Sequence, residues 1–372
     1  MTKALIVGGG ISGLATALVL SRRGIEIDLV ERAPRIEALG SGITLIGPAL
    51  RALDGLGIYE ECVAEGFGVT DFEIYTPDGV LADKFPLPSP VGTGQPGLLG
   101  MMRPTLHRIL LDRAEAEGAV LRTGVSPVHI GPAGAEVEVA FDTGETGHYD
   151  LVIGSDGLRS TVRDLVFGPA APEFQGQCVL RVVLPRPAEV TAEVQFRPAG
   201  DVTVGFTPTS ADSMYMYCMF PVEAGYRPRE EDLVDLVRTR IEPFGGVVAR
   251  IRDEVREPGQ INYAAFETTL APGPWYRGRV LILGDAAHCT TPHLAAGAAM
   301  CLEDALALGE EIAAAPDLDD ALRAFSSRRY DRCKYVVETS VQLSYWQTHP
   351  GTPGADHQRV MAEAFGRLAE PF

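Results

Sequence analysis

Residues 4–7 form an unbroken apolar run closed by Gly8, and over residues 11–23 the apolar side chains, Leu14 and Leu18 among them, recur at helical spacing. After Gly24 the alternation of Ile25, Ile27 and Leu29 predicts a second strand. The start of the chain therefore reads as strand, helix, strand, with a parallel pair that has to be covered on both faces. Further along, helical spacing returns over residues 105–116, and residues 120–130, 136–141 and 149–153 read as strands, the last closed by Gly154. Residues 85–100 are rich in Pro and Gly and are expected to be irregular.

The pattern changes after residue 174. Four β-rich runs, 178–184, 192–196, 202–206 and 214–220, follow one another with no helix between them, which predicts an antiparallel sheet in a second domain. Residues 230–241 are helical in period, residues 280–283 form another buried strand closed by Gly284, and a long helix starts near Ala298. From Asp319 onward the chain is expected to be helical. The fold class is α/β: a Rossmann-like domain assembled from both ends of the chain, with an inserted, mainly antiparallel β-sheet and C-terminal helices.

Composition narrows the partners. The 372 residues carry 50 acidic against 32 basic side chains, a net charge of -18 that repels phosphate backbones and anionic head groups. Nucleic acid and membrane surfaces are excluded on that ground. The six cysteines contain no C-x-x-C pair and read as reduced, cytoplasmic usage. Glycines 8 to 10 interrupt the N-terminal apolar run, which is therefore not read as a signal peptide. The longest uncharged stretches, 85–102 and 286–302, are broken by Pro, Gly or His and are not membrane spans. Oligomeric state is not legible.

Three motifs carry chemistry. The first, Gly8-Gly9-Gly10-Ile11-Ser12-Gly13, is a G-x-G-x-x-G between a strand and a helix, with Glu31 at the end of the second strand. In that context it is a dinucleotide fingerprint: Gly8 makes the tight turn, Gly10 lets a pyrophosphate approach, Gly13 lets helix and strand pack, and Glu31 accepts from ribose hydroxyls. Residues 92–97 match the same letters, but they follow a Pro-rich segment and Pro96 lacks an amide donor, so they are not a second fingerprint. The second motif is Asp156-Gly157-Leu158-Arg159-Ser160-Thr161-Val162-Arg163, and the third is Gly284-Asp285-Ala286-Ala287-His288 with Pro292 and His293 after it.

In this order the three motifs resemble the aromatic-ring hydroxylases, the flavin monooxygenases typified by p-hydroxybenzoate and salicylate hydroxylases. The resemblance implies FAD as cofactor, NADPH or NADH as a transient electron donor, O2 as co-substrate and a small aromatic substrate, hydroxylated through a flavin C4a-hydroperoxide. It implies an FAD-binding domain from residues 1–72, 98–170 and 271–318, a substrate domain from 73–97 and 171–270, and a helical segment at 319–372. Residue by residue, it puts Arg32 beside Glu31 near the adenosine, with Ser12 in the phosphate turn and Arg103 near the pyrophosphate and ribityl chain. Val125 becomes a backbone contact to adenine, Asp285 the ribityl-binding carboxylate, and residues 296–300, with Gly297, Ala298 and Met300, the loop beneath the isoalloxazine. The long helix would then point its free amides at the flavin edge where negative charge develops on reduction.

The chain departs from the family at Ala295-Ala296-Gly297-Ala298-Ala299-Met300, where Gly-Gln-Gly and an Asn are usual. An oxidase or reductase of the same fold would keep every FAD motif, and is the alternative. The halogenase tryptophan motif is missing, because Trp275 and Trp346 lie far apart. His288, Cys289 and His293 are ligand types, but their spacing matches no common zinc pattern and no metal is expected. His293, beside Pro292 near the expected flavin face, could deprotonate or bind a phenol, or only line the site. Tyr215 is the other candidate for that role. Arg181 could anchor a substrate carboxylate or be a surface arginine, and Tyr215 and Tyr217, two apart on one strand, share a face that either lines a cavity or packs.

Overall fold

The computed structural model describes residues 2–35 and 40–372. Its first strand, Lys3–Val7, leads into the helix Ile11–Ser21 and returns as the strand Glu26–Glu31, paired in parallel with Ala4 opposite Ile27. On its other side Lys3–Val7 pairs in parallel with Leu151–Gly154, which in turn pairs with Val280–Ile282. The sheet is completed by Val120–Thr123 at one edge and by the antiparallel pair of residues Tyr276–Arg277 at the other. These central strands bury nearly every side chain, as a parallel sheet must. The arrangement brings the carboxyl ends of three strands, and hence the three distant motifs, side by side: Ser155 Oγ donates to the Val7 and Gly8 carbonyls, and Leu283 N–H donates to the Gly154 carbonyl.

A seven-stranded sheet runs in the order Ile261–Thr268, Glu173–Pro185, Ser213–Pro221, Thr203–Pro208, Glu193–Phe196, Asp71–Tyr75, Leu81–Pro86. All its pairs are antiparallel except Glu193–Phe196 with Asp71–Tyr75. One face, with Leu180, Met216 and Cys218, packs into a core with Val237, Ile241 and Phe244, while the other looks toward the parallel sheet's motif edge. The helix Leu318–Thr348, about 46 Å long at 1.5 Å per residue, packs on both Gly297–Ala314 and Glu173–Pro185 and so ties the two sheets together. A last helix, His357–Ala369, packs on Gly47–Gly55. Among the described residues no helix is long and apolar enough to cross a membrane.

Several sequence expectations are revised. The run 120–130 is two strands, broken at Gly124, whose second half, Pro127–Ala133, enters a separate antiparallel sheet with Glu136–Phe141 and Thr146–Tyr149. The run 149–153 likewise breaks at Asp150, where the chain changes sheets and the carboxylate accepts from the Lys3 amide at 2.8 Å. Residues 85–100 are not irregular throughout: Leu98–Met102 is a buried strand paired with Gly42–Leu45 and Phe67–Val69. Its flanking Pro and Gly hide a strand whose Leu98, Leu99 and Met101 reach the core.

Candidate functional site

Gly8 adopts φ +107°, and a Cβ there would lie 2.6 Å from the Ser155 carbonyl, so only glycine makes this turn beside its neighbouring strand. A Cβ on Gly13 would stand 1.9 Å from the Gly8 carbonyl, while one on Gly10 would meet nothing within 4 Å. Gly10 therefore faces open space at the head of Ile11–Ser21. The first helical bond runs from Leu14 N–H to the Gly10 carbonyl, which leaves the preceding amides at the positive end of the helix. Glu31 already accepts from the Gly9 and Ala33 amides, at 2.9 and 2.8 Å, so it shapes the turn and keeps further lone pairs for a ribose. His107, which no sequence signal singled out, donates from Nε2 to the Gly9 carbonyl at 2.6 Å.

The third motif abuts the first. Gly284 has φ +60°, and a Cβ there would come within 2.4 Å of Ser12 Oγ, a buried hydroxyl with no partner among the described residues. Asp285 follows it, exposed on the cavity wall. Behind this turn the fully buried Asp304 accepts from Gly284 N–H at 2.9 Å, from His288 Nε2 at 2.6 Å and from Arg329 Nε at 2.7 Å. Burial alone would raise its carboxyl, but His288 and Arg329 outweigh that and hold it below the usual range. Arg329 and Arg332 also bind Glu303. Asp156 plays the matching role in the second motif, accepting from the Thr161 and Val162 amides and from Ser160, while Arg163 donates to the Ala286 carbonyl and links the second motif to the third.

The ligand atoms of His288, Asp304 and Cys333 lie within 4.8 Å of one another. The Arg329 guanidinium already occupies that cluster, with Nη2 3.6 Å from Cys333 Sγ, and supplies there the positive charge an ion would bring. His293 points elsewhere, to Thr291 and Gln347.

The loop before the long helix contains Ala295 at φ +48°, a left-handed non-glycine residue. The helix Gly297–Ala314 makes its first bond from Met300 N–H to the Ala296 carbonyl, leaving the amides of Gly297, Ala298 and Ala299 for a ligand. One expected flavin contact is corrected here. The Met300 amide is consumed inside the helix and its side chain is buried, because the helix starts one residue earlier than the spacing suggested. Val125 donates its amide to the Glu31 carbonyl and has a buried side chain, which leaves its carbonyl for a backbone contact.

Across the cavity stands one face of the seven-stranded sheet. Arg181, Tyr215 and Tyr217 lie on it, while Met216 and Cys218 enter the core behind. Arg181 is thus a cavity residue and not a surface one, with no side-chain partner among the described residues. Burial, together with the nearby Arg103, pushes its guanidinium down to about 10. Tyr215 packs against Gly42, and its hydroxyl bonds Thr44. Burial raises its pKa, so it holds its own proton and is poorly placed to take a substrate's. His293 is engaged at both nitrogens, by Thr291 Oγ1 at 2.9 Å and Gln347 Oε1 at 2.7 Å, and burial pushes it down to about 4. As a base it would have to break one of those bonds first. The geometry instead makes it a wall residue, set edge-on to Phe266 and oriented through Gln347, which donates on to Thr203.

One cavity of about 2360 Å3 joins these parts. Glu31 and Arg32 line one end, Gly10 and Ser12 the middle, Asp285 and the Gly297–Ala298 amides the next stretch, and the sheet face with Arg181 and Tyr217 the far side. That series of ribose acceptor, amide cradle, hydroxyl acceptor and amide-rich helix end fits an extended FAD in its chemistry and its order.

Comparison with known proteins agrees. Residues 1–340 match the family described as FAD binding domain. The 2-heptyl-3-hydroxy-4(1H)-quinolone synthase of Pseudomonas aeruginosa is 33% identical over 354 residues, covering 92% of this chain and 90% of that one. The 3-hydroxybenzoate 6-hydroxylase of Klebsiella oxytoca is 30% identical over 361 residues, covering 92% and 87%. Among solved structures, Klebsiella pneumoniae HpxO complexed with FAD and uric acid superposes with a TM-score of 0.86 at 23% identity, over 100% of this chain and 93% of that one. With the match running through all three motifs, the chain belongs to the FAD-binding-domain family of flavin-dependent monooxygenases.

Proposed function

We propose that the protein is a single-component hydroxylase that uses NADPH or NADH and O2 to oxygenate a small aromatic or similarly electron-rich molecule. The observation that carries this reading is the continuity of one cavity, from the FAD cradle to a sheet face bearing the Tyr217 ring and Arg181, which has no side-chain partner among the described residues. When bound, FAD supplies the hydride acceptance and oxygen transfer. The chain's own residues do the rest. The amides of Gly297, Ala298 and Ala299 face negative charge with the positive end of an 18-residue helix. Arg181, desolvated in the cavity wall, attracts a carboxylate or an electron-rich oxygen of the substrate. Pro292, Tyr217 and the His293 edge close the cavity around the ring and exclude water. The discontinuous FAD-binding domain of 1–72, 98–170 and 271–318, with the substrate domain of 73–97 and 171–270, is the division this reading uses. Six free cysteines, five of them buried, fit a cytoplasmic setting in which NAD(P)H is available.

The test is NAD(P)H oxidation by the FAD-loaded enzyme under 18O2, against a panel of phenols and hydroxylated heteroaromatics. Substrate-stimulated NAD(P)H consumption with 18O in the product is the expected result. Stoichiometric H2O2 with no labelled product across the panel would overturn the reading in favour of an oxidase. Replacing Arg181 by Leu should raise KM about tenfold or more for an anionic substrate, since a charged hydrogen bond is lost.

A further inference from the structure

The hydroxylase reading leaves open what part of a substrate the sheet face recognises. Register places Asn262 opposite Arg181, Arg181 opposite Tyr217, Tyr217 opposite Gly205 and Gly205 opposite Gln195, a row across five neighbouring strands. Tyr217 lies flat over Gly205: a Cβ there would stand 2.1 Å from its ring and hydroxyl, so the phenol reaches toward the strand Glu193–Phe196. Glu193, on that strand, also lines the cavity. It is 5% exposed, the Thr207 hydroxyl is its hydrogen-bond partner, and among the described residues its Oε2 has none. The side chains of Arg181, Tyr217 and Gln195 have no hydrogen bond to the described residues either.

We propose that Glu193 is a specificity-determining residue of the substrate cavity, its carboxyl taking the ring N–H or O–H donor of an uncharged aromatic substrate laid on Tyr217. The inference rests on the hydroxylase reading and adds to it the polar edge that the substrate must present. Burying an unpartnered carboxyl oxygen costs free energy, and an aliphatic side chain of similar size would fill the space without that cost. A ligand donor supplies the missing partner, and rotation of the terminal carboxyl torsion can present either oxygen. Among the described residues no cation is paired with Glu193; those facing it are Thr207, Tyr215 and Tyr217 through their hydroxyls and Phe72, on the adjoining strand, through its ring. Burial pushes its carboxyl up to about 8, so below that pH it is neutral and able to donate as well as accept. A lactam, pyridone or similar ring with N–H beside C=O matches such a group, while a substrate carboxylate is directed to the Arg181 end of the row.

The experiment titrates FAD-loaded enzyme at pH 7 with 2(1H)-quinolone, its N-methyl derivative and 3-hydroxybenzoate, following the flavin absorbance. We expect the N–H compound to bind about tenfold or more tightly than the N-methyl one. Glu193→Leu should reduce that ratio to less than about threefold, whereas Glu193→Gln, neutral and of the same shape, should keep it. Glu193→Met replaces the Leu variant if the latter fails to retain FAD. An unchanged ratio in the aliphatic variant, a wild-type enzyme that does not discriminate, or one that binds neither quinolone would overturn the assignment. Loss of the hydroxylase reading shows separately, as the absence of labelled product from 18O2 while the binding ratio still follows Glu193.

Discussion

Asp304 and Arg329 show how much one buried pair can hold. Each is 0% exposed, and Asp304 alone joins the Gly284 turn, His288 and the helix Leu318–Thr348. Arg329→Met would take one cationic partner from each of two buried carboxylates, leaving Glu303 with Arg332 and Asp304 with His288, and should cost about 3 kcal/mol, read from urea unfolding of the FAD-free protein. Asp285 makes the opposite case. Exposed on the cavity wall, it supports little packing, so Asp285→Ala should weaken FAD binding about tenfold or more while leaving the unfolding midpoint of the apoprotein in place. Full FAD retention in that variant would remove the ribityl role. His293 has a pH signature. Its folded-state value of about 4 lies below the ordinary 6.5, so between those limits the unfolded chain takes up the proton more readily. The stability it contributes is complete above pH 6.5, declines as the pH falls and levels off below about 4, a change of order 3 kcal/mol. The difference in unfolding free energy between the wild type and His293→Gln, measured from pH 7.5 to 4, should trace that decline; a flat difference would mean the imidazole is not held neutral.

At the level of elements, the segment leading into Gly297–Ala314 carries the chain's departure from its family. Ala295 sits in the left-handed region where glycine is at ease, and the family's usual glycine in this loop would relieve it. Ala295→Gly should therefore be neutral or stabilise by up to about 1 kcal/mol, whereas Ala295→Val should cost about 2 kcal/mol, both read by thermal unfolding. The same segment marks the boundary of what sequence could say. The fingerprint strand and helix, the strand before Gly284 and the antiparallel runs were legible because each has an uninterrupted period of its own. The strand Leu98–Met102 was not, since its Gly and Pro neighbours carry the local signal while its burial comes from partners far away in sequence. The site divides in the same way. Glycine turns and Asp285 announce their chemistry locally, but the amide of Met300 is spent on a bond that depends on where the helix starts, and His107, Glu193 and Gln347 matter only through residues brought to them by the fold.

For the whole molecule, the cavity is closed by the end of the chain as much as by its two sheets. The helix His357–Ala369 buries Val360, Ala364 and Leu368 in the main core and contributes Met361 and Phe365 to the cavity wall. Arg51, from the helix Gly47–Gly55, donates to the carbonyls of Leu368 and Ala369 at 2.6 and 2.9 Å and to that of Glu370 at 3.2 Å, closing a helix end that would otherwise be left open. Arg328 and Arg332 reach the same stretch from Leu318–Thr348, at the carbonyls of Phe372 and Leu368. Val360 and Leu368, at roughly 1.5–3 kcal/mol each, amount to a sizeable part of a typical folding free energy of about 5–15 kcal/mol. A chain ending after residue 352 should then lose at least about tenfold in FAD affinity and melt well below the full chain. Arg51→Met separates the cap from the packing: it leaves the apolar contacts and removes only the donors, so it should cost about 1–2 kcal/mol with FAD still bound. If the truncated chain instead kept the affinity and melting point of the full one, the last helix would be an appendage, and the enclosure of the cavity would rest on the two sheets and Leu318–Thr348 alone.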